Sequence, residues 1–173
     1  NCKISKSIST YNLIGSLGDN IRIDDDVQLK GKIDLKSNVH IARGCTLSGA
    51  KHGIFVDDLV SLANYVQIYS SSDDYYSPSI AVATLNSEMR KKFSKVYEKK
   101  IKIGKCCIIG TLSVLLPGAI IGDFSSIGAL TIVNKKISKG FFFQSKAKEK
   151  LKKRDVKLFE RLYKGYKKLN ENK

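Results

Sequence analysis

Few residues in this chain have the types and spacing to do chemistry. There are two histidines, His40 and His52, and four cysteines, Cys2, Cys45, Cys106 and Cys107. An acidic pair, Asp73-Asp74, follows three consecutive serines, Ser70-Ser71-Ser72. A carboxylate with an ordinary pKa of about 4 is a weak base toward a hydroxyl. It can still orient an amine and accept its proton, because the amine brings its own lone pair. The same pair also reads as a solvated turn. His52 lies in Gly49-Ala50-Lys51-His52-Gly53, a run that interrupts the surrounding pattern, and is the second candidate base. His40 falls at an outward position and reads as a surface residue. Two histidines are too few for a three-imidazole zinc site. Adjacent Cys106-Cys107 lacks metal-ligand spacing, and no disulfide framework is expected. Neither a P-loop pattern nor a Gly-x-Gly-x-x-Gly opening a helix is present.

The elements that must position these groups announce themselves by a repeat. From Ile103 to Val133 the residues Ile103, Ile109, Leu115, Ile121, Ile127 and Val133 recur every six positions. Four residues after each comes a second column, Cys107, Ser113, Ala119, Ser125, Thr131 and Ile137, nearly all small. A six-residue period is not a helix period. Six is a multiple of two, so equivalent residues of successive short strands face the same way. A chain that bends after each hexad stacks its aliphatic residues into a continuous interior ladder, each rung buried by its neighbours.

The same column starts at Leu17 and runs through Ile23, Leu29, Leu35, Ile41 and Leu47, with Ile21, Val27, Ile33, Val39 and Cys45 as its partners. Three extra residues at 49–53 break the count, which resumes at Val56, Leu62 and Ile68. Cys45 and Cys107 occupy the second column and are expected to be reduced core residues. Residues 1–16 read as a leader packed on the first coil. Residues 69–100 do not fit the repeat and read as a long excursion, with a short helix expected within Asn86–Lys95. Such a departure from a strict solenoid is commonly functional. After Ile137 the spacing turns helical, with a stripe of Leu151, Asp155, Leu158, Leu162, Tyr166 and Leu169 in residues 141–173. Its expected role is to pack on the β-helix end or on a neighbouring subunit. Residues 17–140 are the β-helix domain.

Net charge is +15, which raises nucleic acid as a partner. The charge is uneven, however. Residues 144–173 hold twelve Lys or Arg against four acids, a net of +8. Binding of this tail to anionic lipid is the weaker reading, and nucleic acid is not expected as a partner. No apolar run approaches the ~20 residues of a membrane span. The first residues lack an apolar signal-peptide core, and the chain begins at Asn1, so a start upstream is expected. The expected location is the cytoplasm.

Leu115-Leu116-Pro117-Gly118-Ala119-Ile120-Ile121-Gly122-Asp123, inside this repeat, resembles the signature of the hexapeptide-repeat acyltransferases that acetylate sugars and sugar nucleotides. The resemblance implies a left-handed parallel β-helix with three hexads per coil, so that fifteen hexads make about five coils. It implies a homotrimer, acetyl-CoA as cosubstrate, and a sugar or nucleotide-sugar acceptor for surface polysaccharide. In the resembled O-acetyltransferases a histidine follows a segment matched here by Tyr69-Ser70-Ser71-Ser72, and its place is taken by Asp73. The resemblance therefore favours N-acetylation of an amino sugar, with Asp73 orienting the amine, Asp74 beside it and His52 in reserve. O-acetylation and a non-catalytic scaffold are the alternatives. The coenzyme is expected along the late coils, at Gly110-Thr111, Ser113 and Gly128-Ala129, with its phosphates near Lys135, Lys136 and Lys146.

Overall fold

A six-residue repeat leaves room for strands of only two or three residues once each corner has been turned, and the strands found are of that length except Ser9–Ile14, of six, and Gln28–Leu35, of eight, which runs through a corner onto the next face. The structure, a computed structural model, describes residues 1–145 together with residues 157, 158, 160, 161, 164, 165 and 168. Asn1–Ser71 and Glu98–Ala147 form one compact unit. Ser72–Tyr97 with the described residues of the C-terminal stretch form a second.

The first unit is a parallel β-helix with three faces. On the first face Ile4, Ile23, Ile41, Leu62, Ile109, Ile127 and Phe143 stand in one parallel register. On the second face the ladder is Thr10, Leu29, Leu47, Ile68, Leu115 and Val133. On the third it is Leu17, Leu35, Val56, Ile103, Ile121 and Ile137. All six aliphatic residues from Ile103 to Val133 are at most 2% exposed.

The coil count differs from the five expected. Six coils are complete and the strand Phe142–Phe143 begins a seventh. Residues 1–16 are not a leader, for the strands Lys3–Ile4 and Ser9–Ile14 are the first coil. Its ladder residues Ile4 and Leu17 remain exposed because no coil covers its free end, and this is why the column is hard to read there. At the other end Ile137 follows Val133 by four residues rather than six, a shorter corner that breaks the count but keeps the ladder. The β-helix thus extends beyond 17–140 at both ends.

The small column has a second use besides filling a narrow interior. Ser113 Oγ donates to Gly128 O at 2.9 Å and Ser125 Oγ to Ser138 O at 2.9 Å. Cys45 Sγ donates to Ala63 O at 3.1 Å and Cys107 Sγ to Gly122 O at 3.2 Å. Each buried polar side chain thus staples one coil to a carbonyl of the next, which satisfies groups that burial would otherwise penalise.

The outer corners change character along the helix. Several corner residues adopt positive φ: Asn20, Asp26 and Asn38 in early coils, then Leu59, Tyr65, Leu112, Phe124 and Leu130 in later ones. Asn and Asp tolerate this region, whereas bulky residues are uncommon in it. All five of the later residues are also solvent-exposed.

The excursion leaves after the strand Gln67–Tyr69 and returns at Ile101–Ile103, which pairs with Ile54–Val56. Its two ends, Ser71–Asp73 and Val96–Glu98, pair as a two-stranded ribbon. Within it lies the helix Ser87–Phe93, capped by Asn86, whose side chain accepts from Met89 N; Met89 and Phe93 are buried. The described residues of the C-terminal stretch are helical. The other residues of the expected stripe lie outside those described.

Two outcomes are expected. Leu115→Ala removes most of a fully buried side chain, so denaturant unfolding should show a loss of about 2–5 kcal/mol. Burial pushes the Cys45 thiol up to about 11 and raises Cys107 as well. A thiol reagent at neutral pH should therefore modify exposed Cys2 first and leave Cys45 and Cys107 unmodified until the protein is denatured.

Candidate active site at the mouth of the excursion

His52 is held by its backbone neighbours. A Cβ on Gly49 would lie 1.8 Å from Lys32 O, so only glycine lets this turn approach the coil below. Gly53 N–H donates to Gly49 O at 2.7 Å, and Gly53 O accepts from Ile101 N at 3.1 Å. The turn carrying His52 is thereby pinned against the strand on which the excursion returns. His52 is on the coil adjacent to the one the excursion leaves, because the second-to-third corner of one coil stacks on the same corner of the next.

The residue it meets is Glu98, which sequence reasoning missed. Glu98 Oε2 lies 3.8 Å from His52 Nε2, and Glu98 Oε1 accepts from Ser71 Oγ at 3.3 Å. Lys99 N–H donates to Ser70 O at 3.0 Å and closes the mouth. Both side chains are partly exposed, 46% for His52 and 35% for Glu98, so solvent and ligand can reach them. The available signal was position: Glu98 is the only acid between Lys95 and Lys102, just before the repeat resumes at Ile101. Under the same corner the Ser70 hydroxyl is buried and, among the described residues, is the one buried side-chain polar atom without a hydrogen bond. Such a group costs about 1–3 kcal/mol, so stability alone does not account for this corner. His40 lies elsewhere, on the first face, 2.9 Å from Asp24. Its hydrogen bond holds that carboxyl below the usual range.

In the second unit the two aspartates part company. Asp74 Oδ1 accepts from the backbone N–H of Tyr76 and of Ser77, each at 2.9 Å. Hydrogen bonds, that of the Ser77 hydroxyl first, hold its carboxyl below the ordinary value. Asp74 is thus an Asx turn and a weaker proton acceptor than expected, which corrects its assigned place beside the base. Asp73 ends the strand Ser71–Asp73 and is exposed.

The expected coenzyme residues do not share one edge of the β-helix. Gly110-Thr111 and Gly128-Ala129 stack on the first-to-second corner, where a Cβ on Gly110 would come within 2.5 Å of Ala129 N. Thr111 Oγ1 donates to Asn64 O at 2.7 Å. Lys135 lies on the second-to-third corner, with its Nζ 4.4 Å from the Phe143 ring centroid, and Lys136 is the outward residue of the third-face strand Lys136–Ile137. Ser113 is a correction: it is wholly buried and its hydroxyl is spent on Gly128 O, so no coenzyme reaches it. Lys146 lies outside the described residues. A groove of about 550 Å³ also crosses the third face, with Phe55 and Ile120 among its apolar walls and Lys36, Lys100 and Lys102 among its charges. Among the described residues no group of three or more His, Cys, Asp or Glu is gathered to hold a metal. Among the same residues no helix is long and apolar enough to cross a membrane.

No family model matches the chain. A dTDP-4-amino-4,6-dideoxy-D-glucose acyltransferase of Escherichia coli is 33% identical over 139 residues, covering 78% of this chain and 70% of the relative. AntD, an N-acyltransferase from Bacillus cereus, has been solved with dTDP and 3-hydroxybutyryl-CoA. It matches with a TM-score of 0.78 at 28% identity, over 98% of this chain and 89% of its own. A serine-substituted AntD in complex with dTDP-4-amino-4,6-dideoxyglucose and coenzyme A matches at 0.77 and 29%, over 95% and 87%. The acetyltransferase domain of PglB from Neisseria gonorrhoeae, at 13% identity and a TM-score of 0.58 over 84% of this chain and 55% of its own, shares the fold. By its identity to the Escherichia coli enzyme, this chain belongs to the acyl-CoA-dependent β-helix acyltransferases of sugar nucleotides.

Proposed function

We propose that the protein transfers an acyl group from coenzyme A to the amine of a dTDP-linked amino sugar, with acetyl as the group carried. The observation that carries this reading is the 33% identity to an acyltransferase of such a sugar. Likeness to an N-acyltransferase along nearly the whole chain supports it. In the reaction the ammonium first loses a proton. The free amine then attacks the thioester carbonyl, the C–S bond breaks, and the second proton leaves the nitrogen for the departing thiolate as the amide forms. Positioning supplies much of such a rate. Asp73 orients the amine and takes its proton. A single carboxylate suffices, since Asp74 is engaged in its turn. A second reading, O-acylation of a sugar hydroxyl with His52 as base, is favoured by the Glu98 carboxylate facing that imidazole.

The assembly we propose is a homotrimer. Leu112 and Leu130 are 52% and 71% exposed at positive-φ corners, and Ile108, Ile132 and Phe142 add exposed apolar surface on the strands beside them. Bulky residues held in a disfavoured conformation to face water make sense when a copy covers them. Lys135 and Lys136 then serve coenzyme phosphates across a subunit boundary, opposite the Gly110-Thr111 and Gly128-Ala129 corners of a neighbour. The net positive charge matches two polyanionic substrates. The setting proposed is cytoplasmic synthesis of a surface polysaccharide.

The decisive experiment is turnover of dTDP-linked amino sugars with acetyl-CoA, read as free thiol, with 3-hydroxybutyryl-CoA in parallel. Transfer to the amine and faster reaction with acetyl-CoA are expected, and no thiol release with any amino sugar overturns the reading. Asp73→Asn should lower kcat/KM by more than about tenfold, equivalent to ~1.4 kcal/mol of barrier. If instead His52→Ala costs more than about a hundredfold, the base is histidine and the acceptor a hydroxyl. Sedimentation at micromolar protein should give a trimer, and a monomer would contradict the shared site.

A further inference from the structure

The second face carries two outward columns that no role above uses. One is Tyr11, Lys30, Ser48 and Tyr69, stacked in direct register over four successive coils. The other is Ser9, Gln28, Thr46 and Gln67 in the same four coils. Every one of these eight side chains can hydrogen-bond. Beyond the excursion the register continues into Val114 and Ile132, which cannot. The polarity of this face therefore changes at the coil from which the excursion leaves. The polar half forms a recess of about 340 Å³ that includes Tyr11, Lys30, Ser48 and Tyr69, within the ordinary range of about 300–1,000 Å³ for small-molecule sites.

We infer that this polar shelf is the binding site for the nucleoside diphosphate part of the acceptor, an inference that rests on the function proposed above. Tyr69 is next to Ser70-Ser71, at the mouth where the sugar amine must react. From there the column descends three coils to Tyr11, about 14 Å at a strand spacing of about 4.8 Å. That is the reach of a hexose, two phosphates and a ribose laid end to end, with a base at the far end. Tyr11 is 63% exposed, so its ring is open to solvent. Lys30 Nζ sits 5.3 Å from the centroid of that ring, one coil nearer the mouth, where the diphosphate would lie. A base on the ring face and a phosphate on the ammonium satisfy both groups together. The hydroxyls of Thr46 and Ser48, one coil nearer the mouth than Lys30, face the sugar and the phosphate that carries it. Tyr69 is fixed by its hydroxyl, which donates to Gln67 Oε1 at 2.8 Å.

The test is calorimetric titration of the full chain with dTDP, alongside steady-state kinetics. Tyr11→Ala and Lys30→Ala should each weaken dTDP binding by about tenfold. They should raise KM for the sugar nucleotide to match and leave KM for acyl-CoA unchanged. Tyr11→Phe, which keeps the ring, should restore binding, an outcome a merely structural role would not give. Melting temperatures of the variants should match the parent, since both side chains lie on the outside of the coil. If the parent binds dTDP and both alanine variants bind it equally well, the shelf is overturned while the acyltransferase reading stands. If the parent neither binds dTDP nor acylates any dTDP-linked amino sugar, the function fails and the shelf with it.

Discussion

Parallel pairing in exact coil-over-coil register is the constraint on which the rest of the molecule depends. Leu47, Ile68, Leu115 and Val133 stand directly over one another because each strand hydrogen-bonds to its counterpart in the previous coil. Side chains alternate in direction with a period of two, so whatever is inward in one coil is inward in all. The interior becomes one aliphatic ladder per face, and the exterior becomes columns of side chains about 4.8 Å apart. Columns are what make the surface chemically legible. Tyr11, Lys30, Ser48 and Tyr69 are far apart in sequence yet form one row, and the row was set by the inward residues beside it.

The hexad columns were sufficient to read the interior of the fold. A period of six, small residues four positions on, and glycine at tight corners leave few other structures. The ends were not legible in the same way. Ile4 and Thr10 belong to the ladder, but an end coil buries only one side, so selection for aliphatic residues weakens there and the period blurs. The shorter corner before Ile137 hid a further rung for a different reason: the count shifted while the pairing did not. The excursion helix could be read because Asn86 caps it and Met89 and Phe93 fall four apart on one buried side.

The site was less legible than the fold because it is made by stacking rather than by local spacing. His52 and Glu98 are 46 positions apart, and only the adjacency of two like corners brings them to 3.8 Å. Asp73 and Asp74 are neighbours in sequence and looked interchangeable. The backbone separates them, since one ends a strand and the other folds its carboxylate over Tyr76 and Ser77. Ser113 looked like a corner residue from its small size. Its hydroxyl turned inward because a small polar group there can bond the next coil's carbonyl. In each case residue type was informative about capability and uninformative about direction.

The excursion also has a consequence for how the chain acquires its structure. Within the early coils a hydrogen bond such as Cys45 Sγ to Ala63 O spans 18 residues, whereas across the excursion Thr111 Oγ1 to Asn64 O spans 47. Closing the larger loop costs only about 0.8 kcal/mol more, since closure entropy grows with the logarithm of length. It nonetheless falls at a single interface. A solenoid whose coils contact only neighbours propagates from wherever it nucleates. Here propagation meets one longer closure, between the strand that ends at Tyr69 and the one that begins at Ile101. The mouth of the excursion is thereby the one place where a rung added to its neighbour carries the larger closure cost.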